Sequence, residues 1–253
     1  MIEQIAVQLH TLREECKADL PGVLRELKRM GYPAVQFAGY YDHDPAEVAS
    51  VIRETGLRVA GLHVQLAKIT ENPDQLLKEL RLFDTRDIVC SNTPTPMRNE
   101  EGFRALRDRL NEQARRWRPE GIRVSYHNHA FEFETSINGQ PALRYMLEPE
   151  ADNLVMAEID VYWVKKAGVD PLSFLAPYTG RMPIIHLKDM TDDEEQAFAE
   201  VGTGSIDFRP ILRWGALHGV EWYVVEQDRC RRSPMDSVEI SLANLKRMME
   251  EIG

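Results

Sequence analysis

The chain has 253 residues, a length that suits one large domain, and its formal charge of −10 argues against a surface built to neutralise phosphates. Cys16, Cys90 and Cys230 are odd in number and widely spaced with no CxxC, so a reduced, disulfide-free chain is expected. No apolar run approaches the ~20 residues that span a bilayer, and the N-terminus lacks a signal-peptide layout; a cytoplasmic protein is expected.

In chain order, IAVQLH (5–10) reads as a first strand and is followed by a helix near 20–30 that ends at Gly31. YPAVQF then gives a second strand, and Asp44-Pro45 opens a helix over 45–55, with Glu47 placed for a capping box. Gly56 closes that helix and LRVAGLHV follows; glycine there tolerates the left-handed backbone of a closing turn. Asn72-Pro73 opens a helix over 73–83, DIVC (87–90) is a fourth strand, and a helix over 101–117 leads through Gly121 into IRVSYHNH. A helix over 140–147, a strand LVMAEID (154–160), a helix from Asp170-Pro171 over 171–177 and a strand PIIHLKD (183–189) come next. A helix over 208–218 ends at Gly219, VEWYVVEQD is the eighth strand, and Ser233-Pro234 opens a last helix over 234–251. Eight alternating strands and helices specify a parallel sheet. The missing GxGxxG after the first strand, and polar residues gathered at many strand ends, favour a single-domain (β/α)₈ TIM barrel over 1–253. The stretch 190–205 is read as a mouth loop.

The chemistry lies at those strand ends. Asp160, His186 and Glu226 each terminate an apolar run, where an ionisable group is costly unless paired or metal-bound. Each alone reads as a satisfied polar residue; on three consecutive strands they point to one cation, and mixed N and O donors suit Mn²⁺, Co²⁺, Zn²⁺ or Fe²⁺. His127 and His129 share one face of the fifth strand, with Glu132 beyond them, and at least one of the three is expected to touch metal or substrate. Lys188, two residues past His186, is a candidate catalytic cation for a developing oxyanion or else a solvated rim residue. His63 and Gln36 are candidates for substrate hydroxyls, with His10 ranked below His63; His43 and His218 read as structural. Trp163 is a candidate to stack on a sugar face, and Arg229, with Arg231 and Arg232, to give the mouth a positive edge. Gly202-Thr203-Gly204 reads as a hinge or a backbone-donor loop.

The segments MGYPAVQF, GLRVAGLH, YHNHAFEF, EIDVYWVKKAG, IIHLKDM, VGTGSIDF and VVEQDR together resemble the sugar phosphate isomerase/epimerase superfamily, the xylose isomerase-like or endonuclease IV-like TIM barrels. The resemblance implies one divalent metal held by Glu, Asp, His and Glu from successive strand ends, and Asp160, His186 and Glu226 match the last three. At the fifth strand His127 stands where the glutamate would be, so the ligand is His127 itself or Glu132 from the following turn, and a hard cation's preference for carboxylate favours Glu132. The resemblance further implies an isomerase or epimerase of a keto-sugar or polyol that removes a proton α to a carbonyl, with Glu226, His127 and His129 as proton-transfer candidates. A histidine in place of the first glutamate brings forward a dehydratase reading, as in inosose dehydratases and enzymes of 3-keto-glycosides. The expected partner is a small sugar or polyol, not nucleic acid or membrane, with a homo-oligomer left open. An endonuclease IV-like nuclease is the alternative of another class, and the acidic balance counts against it.

Overall fold

A computed structural model describes residues 1–252. Eight parallel strands close into a barrel: β1 (Ile5–Gln8), β2 (Ala34–Phe37), β3 (Arg58–Val64), β4 (Asp87–Cys90), β5 (Arg123–His127), β6 (Met156–Asp160), β7 (Ile184–Leu187) and β8 (Trp222–Val225). Each pairs with its neighbours in sequence, and β8 returns to β1 through Ile5↔Tyr223 and Val7↔Val225. Ten helices surround them: α1 (Arg13–Met30), α2 (Pro45–Thr55), α3 (Leu66–Glu71), α4 (Pro73–Leu82), α5 (Glu100–Trp117), α6 (Ala142–Leu147), α7 (Val161–Lys166), α8 (Pro171–Leu175), α9 (Phe208–His218) and α10 (Pro234–Ile252). Among the described residues no helix is long and apolar enough to cross a membrane.

Local chemistry sets the helix ends. Asp44 and Asp170 accept backbone N–H groups of Ala46 and Ser173 while Pro45 and Pro171 take the first turn, and Gly56 closes α2 in the left-handed conformation. Two expectations shift. The first helix begins seven residues earlier than position 20, at Arg13, but Asp19 breaks it (φ −158°) and its carboxylate accepts the Gly22 N–H, so Pro21 opens a fresh helical run. The stretch 190–205 is partly ordered, because Asp189–Met190 pairs antiparallel with Phe198–Ala199.

Strand alternation divides the barrel interior into layers. Ala6, Ala34, Ala60, Val89, Ile184 and Val224 fill the lower layer and pack on Trp222. Two residues past Ala6, Ala34, Ile184 and Val224 the same inward face carries Gln8, Gln36, His186 and Glu226, and β5 and β6 add the paired His127 and Glu158. His63 joins this layer through a bulge: opposite Val35–Gln36, β3 spends an extra residue, so Ala60 and His63 both face inward. Gly61 at the bulge has φ +148°, and a Cβ there would sit 3.1 Å from the Cβ of Asp87. At the opposite, N-terminal end Arg123 binds both oxygens of Asp87 at 2.7 Å and also reaches Glu221.

Candidate active site

The polar layer opens into a cavity of about 490 Å³ at the C-terminal mouth, lined by His10, His63, His127, His129, Glu226 and Asp228 together with uncharged residues. Barrel strands deliver their terminal side chains here. The ligand atoms of His127, Asp160, His186 and Glu226 all lie within 4.8 Å of one another, on four consecutive strands of the barrel. His186 Nδ1 stands 3.0 Å from Glu226 Oε2. Asp160 caps α7 by accepting the N–H groups of Tyr162 and Trp163 through Oδ1, which leaves Oδ2 buried without a hydrogen bond and 2.9 Å from the ammonium of Lys188. Two imidazoles and two carboxylates form a donor set that fits a divalent cation. A second convergent group, His63, His127, Glu158 and His186, lies beside it and shares two of its histidines.

Lys188 is neither a rim residue nor part of the cavity wall. Its side chain is 1% exposed and its ammonium touches Asp160 (2.9 Å), Glu226 (3.0 Å) and Asp228 (2.7 Å). Burial works against that charge, and the carboxylates of Asp160, Glu226 and Asp228 outweigh it, holding Lys188 well above the ordinary ammonium range. Burial likewise opposes ionisation of Glu226, and Lys188 with His186 reverses the balance, so its carboxyl lies well below the usual range. His186 is raised to about 10, because the carboxylates of Glu158 and Glu226 outweigh burial. His129 is lowered to about 4 by burial, with Lys188 adding to it; its Nδ1 has no hydrogen-bond partner.

The structure brings His127, Asp160, His186 and Glu226 together, with His63 and His129 in the same wall. Glu132 stands outside both convergent groups. Tyr126 alternates with His127 and faces the outer core; its hydroxyl donates to Glu132 Oε1 at 2.6 Å while the His129 N–H donates to Oε2 at 2.8 Å. The turn after β5 therefore draws that carboxylate to the far side of the strand, and His127 takes the fifth-strand position. Burial raises Glu132 to about 7 against the bond from Tyr126. Gln36 is fully buried below the cavity, where it donates to Glu158 Oε2 at 2.6 Å and accepts from Gln8 at 2.8 Å, so it orients a neighbour instead of meeting hydroxyls. Trp163 packs on Phe198 and Tyr162 behind His129. Arg229 is exposed and outside the cavity lining, and Arg231 and Arg232 pair with Glu195 and Glu200, so no positive edge forms there. The N–H groups of Gly202 and Gly204 both point at Asp189 Oδ2, which makes that loop a fixed collar with its donors engaged.

Three contributors escaped the sequence reading: Glu158, Asp228 and Asp189. Glu158 carried a signal, since it lies two residues before Asp160 in MAEID and must share its face.

A closed parallel barrel with histidines and carboxylates converging at its C-terminal mouth defines a TIM-barrel enzyme class with a candidate metal centre. The chain belongs to the xylose isomerase-like TIM barrel family, whose model matches residues 24–248. It is 27% identical over 160 residues to an inosose dehydratase of Clostridium tetani, a match that covers 56% of this chain and 53% of that protein, so the chain spans about half the length of this relative. It is 23% identical over 233 residues to an inosose dehydratase of Clostridium perfringens, covering 83% and 74% of the two chains. Among solved structures, a sugar phosphate isomerase/epimerase from Parabacteroides distasonis superposes with a TM-score of 0.82 at 22% identity, over 96% of this chain and 93% of that one. The IOLI protein with a bound zinc atom superposes with a TM-score of 0.74 at 14% identity, over 99% of both chains. These two likenesses show the fold.

Proposed function

We propose that the protein is a divalent-metal-dependent lyase that dehydrates a keto-polyol of the inosose type. The observation that carries the reading is a single cavity wall that presents His129, with an unpartnered Nδ1, beside His127 and Glu226, whose ligand atoms converge with those of the buried Asp160 and His186. The inosose dehydratase names of the relatives support the choice of reaction. A cation held by His127, Asp160, His186 and Glu226 would supply Lewis-acid polarisation of the substrate carbonyl. His129 takes the proton from the carbon α to that carbonyl. The electron pair released from the C–H bond forms the new C=C bond as the β-hydroxyl departs, and the proton on His129 goes to that hydroxide, giving water and an α,β-unsaturated ketone. One group thus serves as base and then acid. Lys188 keeps Glu226 ionised and holds Glu226 and Asp228 in place, and His63 binds a substrate hydroxyl.

Isomerisation or epimerisation is the second reading, favoured by Glu226 lining the same cavity as His129, which supplies a second group able to return the proton. A nuclease is disfavoured, because Glu226 and Asp228 line the cavity and no Lys or Arg does. Incubating the metal-loaded protein with inososes and keto-sugars in deuterated water separates the readings. Loss of 18 mass units as an enone or diketone appears, about the mass of one water, is the result expected from base-catalysed elimination. Deuterium gained at the α carbon with the hydroxyls intact would replace dehydration by isomerisation, and neither outcome on any keto-polyol would remove both.

A further inference from the structure

We infer that the barrel holds a second, deeper divalent-cation position, built from His63, His127, His186 and Glu158 and distinct from the one that uses Asp160 and Glu226. The four ligand atoms lie within 4.8 Å of one another. Three imidazole nitrogens converge on one oxygen, Glu158 Oε1: His186 Nε2 at 3.0 Å, His127 Nδ1 at 3.1 Å, and His63 Nε2 in direct contact. A buried glutamate needs far less to be satisfied, since its other oxygen already accepts from Gln36 at 2.6 Å. Three histidines and one carboxylate, all 7% exposed or less at the side chain, match a tetrahedral site for a borderline cation such as Zn²⁺ or Co²⁺.

The surroundings are those of a ligand shell. The His10 N–H donates to Gln8 Oε1, Gln8 donates to Gln36, and Gln36 donates to Glu158, so a chain of amides fixes the carboxylate from below. His63 and His186 stack with rings 5.2 Å apart and 6° between planes, and the Nε2 atoms of both meet Glu158 Oε1. The deep set has three nitrogens and one oxygen, whereas the set nearer the mouth has two of each. Nitrogen-rich coordination selects Zn²⁺ over Mn²⁺, and the oxygen-rich set is the better host for Mn²⁺. The chain therefore sorts cations by depth around a shared pair, His127 and His186.

The inference touches the proposed reaction through the shared His127 and His186 and through His63, and binding is read without turnover, so either can fail alone. The test measures Zn²⁺ and Mn²⁺ affinities of the full chain, each by competition with a metal-binding dye, for wild type, Glu158→Gln, His63→Ala and Asp160→Asn. The expected result is a loss of more than about tenfold in Zn²⁺ affinity for Glu158→Gln and His63→Ala, with Mn²⁺ affinity within about twofold, and the reverse for Asp160→Asn. Should Glu158→Gln not fold, His63→Ala and X-ray absorption of the zinc-loaded wild type decide the matter. Three imidazoles around zinc support the deep position; two imidazoles, or zinc affinity that follows Asp160 alone, overturn it.

Discussion

His129, just past the end of β5, and Asp160, at the end of β6, are asked to do separable things, and that separation can be measured. His129 stands outside both convergent ligand groups, while Asp160 belongs to one of them. His129→Ala is expected to lower kcat on a keto-polyol by roughly 10²–10⁴ with unchanged bound metal; Asp160→Asn is expected to remove metal and activity together. Metal analysis alongside kinetics checks the pair, and loss of metal in His129→Ala would make His129 a ligand instead of a base. The same scale shows where the sequence was readable. Asp160, His186 and Glu226 could be found because an apolar run that ends on an ionisable group advertises a cost. Donor hardness favoured Glu132 over His127, and Glu132 lies outside both convergent groups because the Tyr126 hydroxyl reaches it across a turn that no periodicity describes.

Among elements, the punctuation by glycine, proline and aspartate placed most helices within a few residues of where they lie, since caps and closing turns are local chemistry. What stayed hidden were features set by contact between distant segments. The bulge in β3 is one: it depends on β2 and β4, yet it alone aims His63 inward. Gly61→Ala combines an unfavourable φ with a Cβ 3.1 Å from that of Asp87, and is expected to cost roughly 1–3 kcal/mol in urea unfolding. A variant as stable as the wild type would mean that β3 re-registers freely. The collar after β7 is the other. Asp189 accepts the N–H groups of Met190 and Ile206 through Oδ1 and those of Gly202 and Gly204 through Oδ2. Asparagine can accept through only one of those atoms, so Asp189→Asn leaves two donors facing an amide N–H₂, a loss on the order of 1–3 kcal/mol. Faster hydrogen exchange at Gly202, Gly204 and Ile206, with the rest of the barrel unchanged, is the expected signature; unchanged protection would show that the collar stands without its carboxylate.

For the molecule as a whole, the two ends of the barrel are polarised in different ways. The N-terminal end is closed by a self-satisfied pairing of Arg123 with Asp87 and Glu221, whereas the mouth end concentrates Glu158, Asp160, Glu226 and Asp228 against Lys188 and the histidines. Carboxylates held that closely in a dry layer repel one another, and Lys188 relieves only the three nearest the mouth. A divalent cation bound there stabilises the folded chain and has no comparable partner in the unfolded one. At a free metal concentration about a hundredfold above Kd the gain is about 2.7 kcal/mol, which for a domain of this size shifts Tm by roughly 5–10 °C. Chelation is therefore expected to lower the melting temperature by that amount, with recovery on adding Zn²⁺ or Mn²⁺ but not Mg²⁺, which sheds its water for imidazole reluctantly. The shift should vanish in a protein carrying His186→Ala, because both convergent groups use that ring. A melting temperature indifferent to chelator and to added cation would leave Lys188 as the resident positive charge of the mouth, and the barrel would then have to polarise its substrate with protein groups alone.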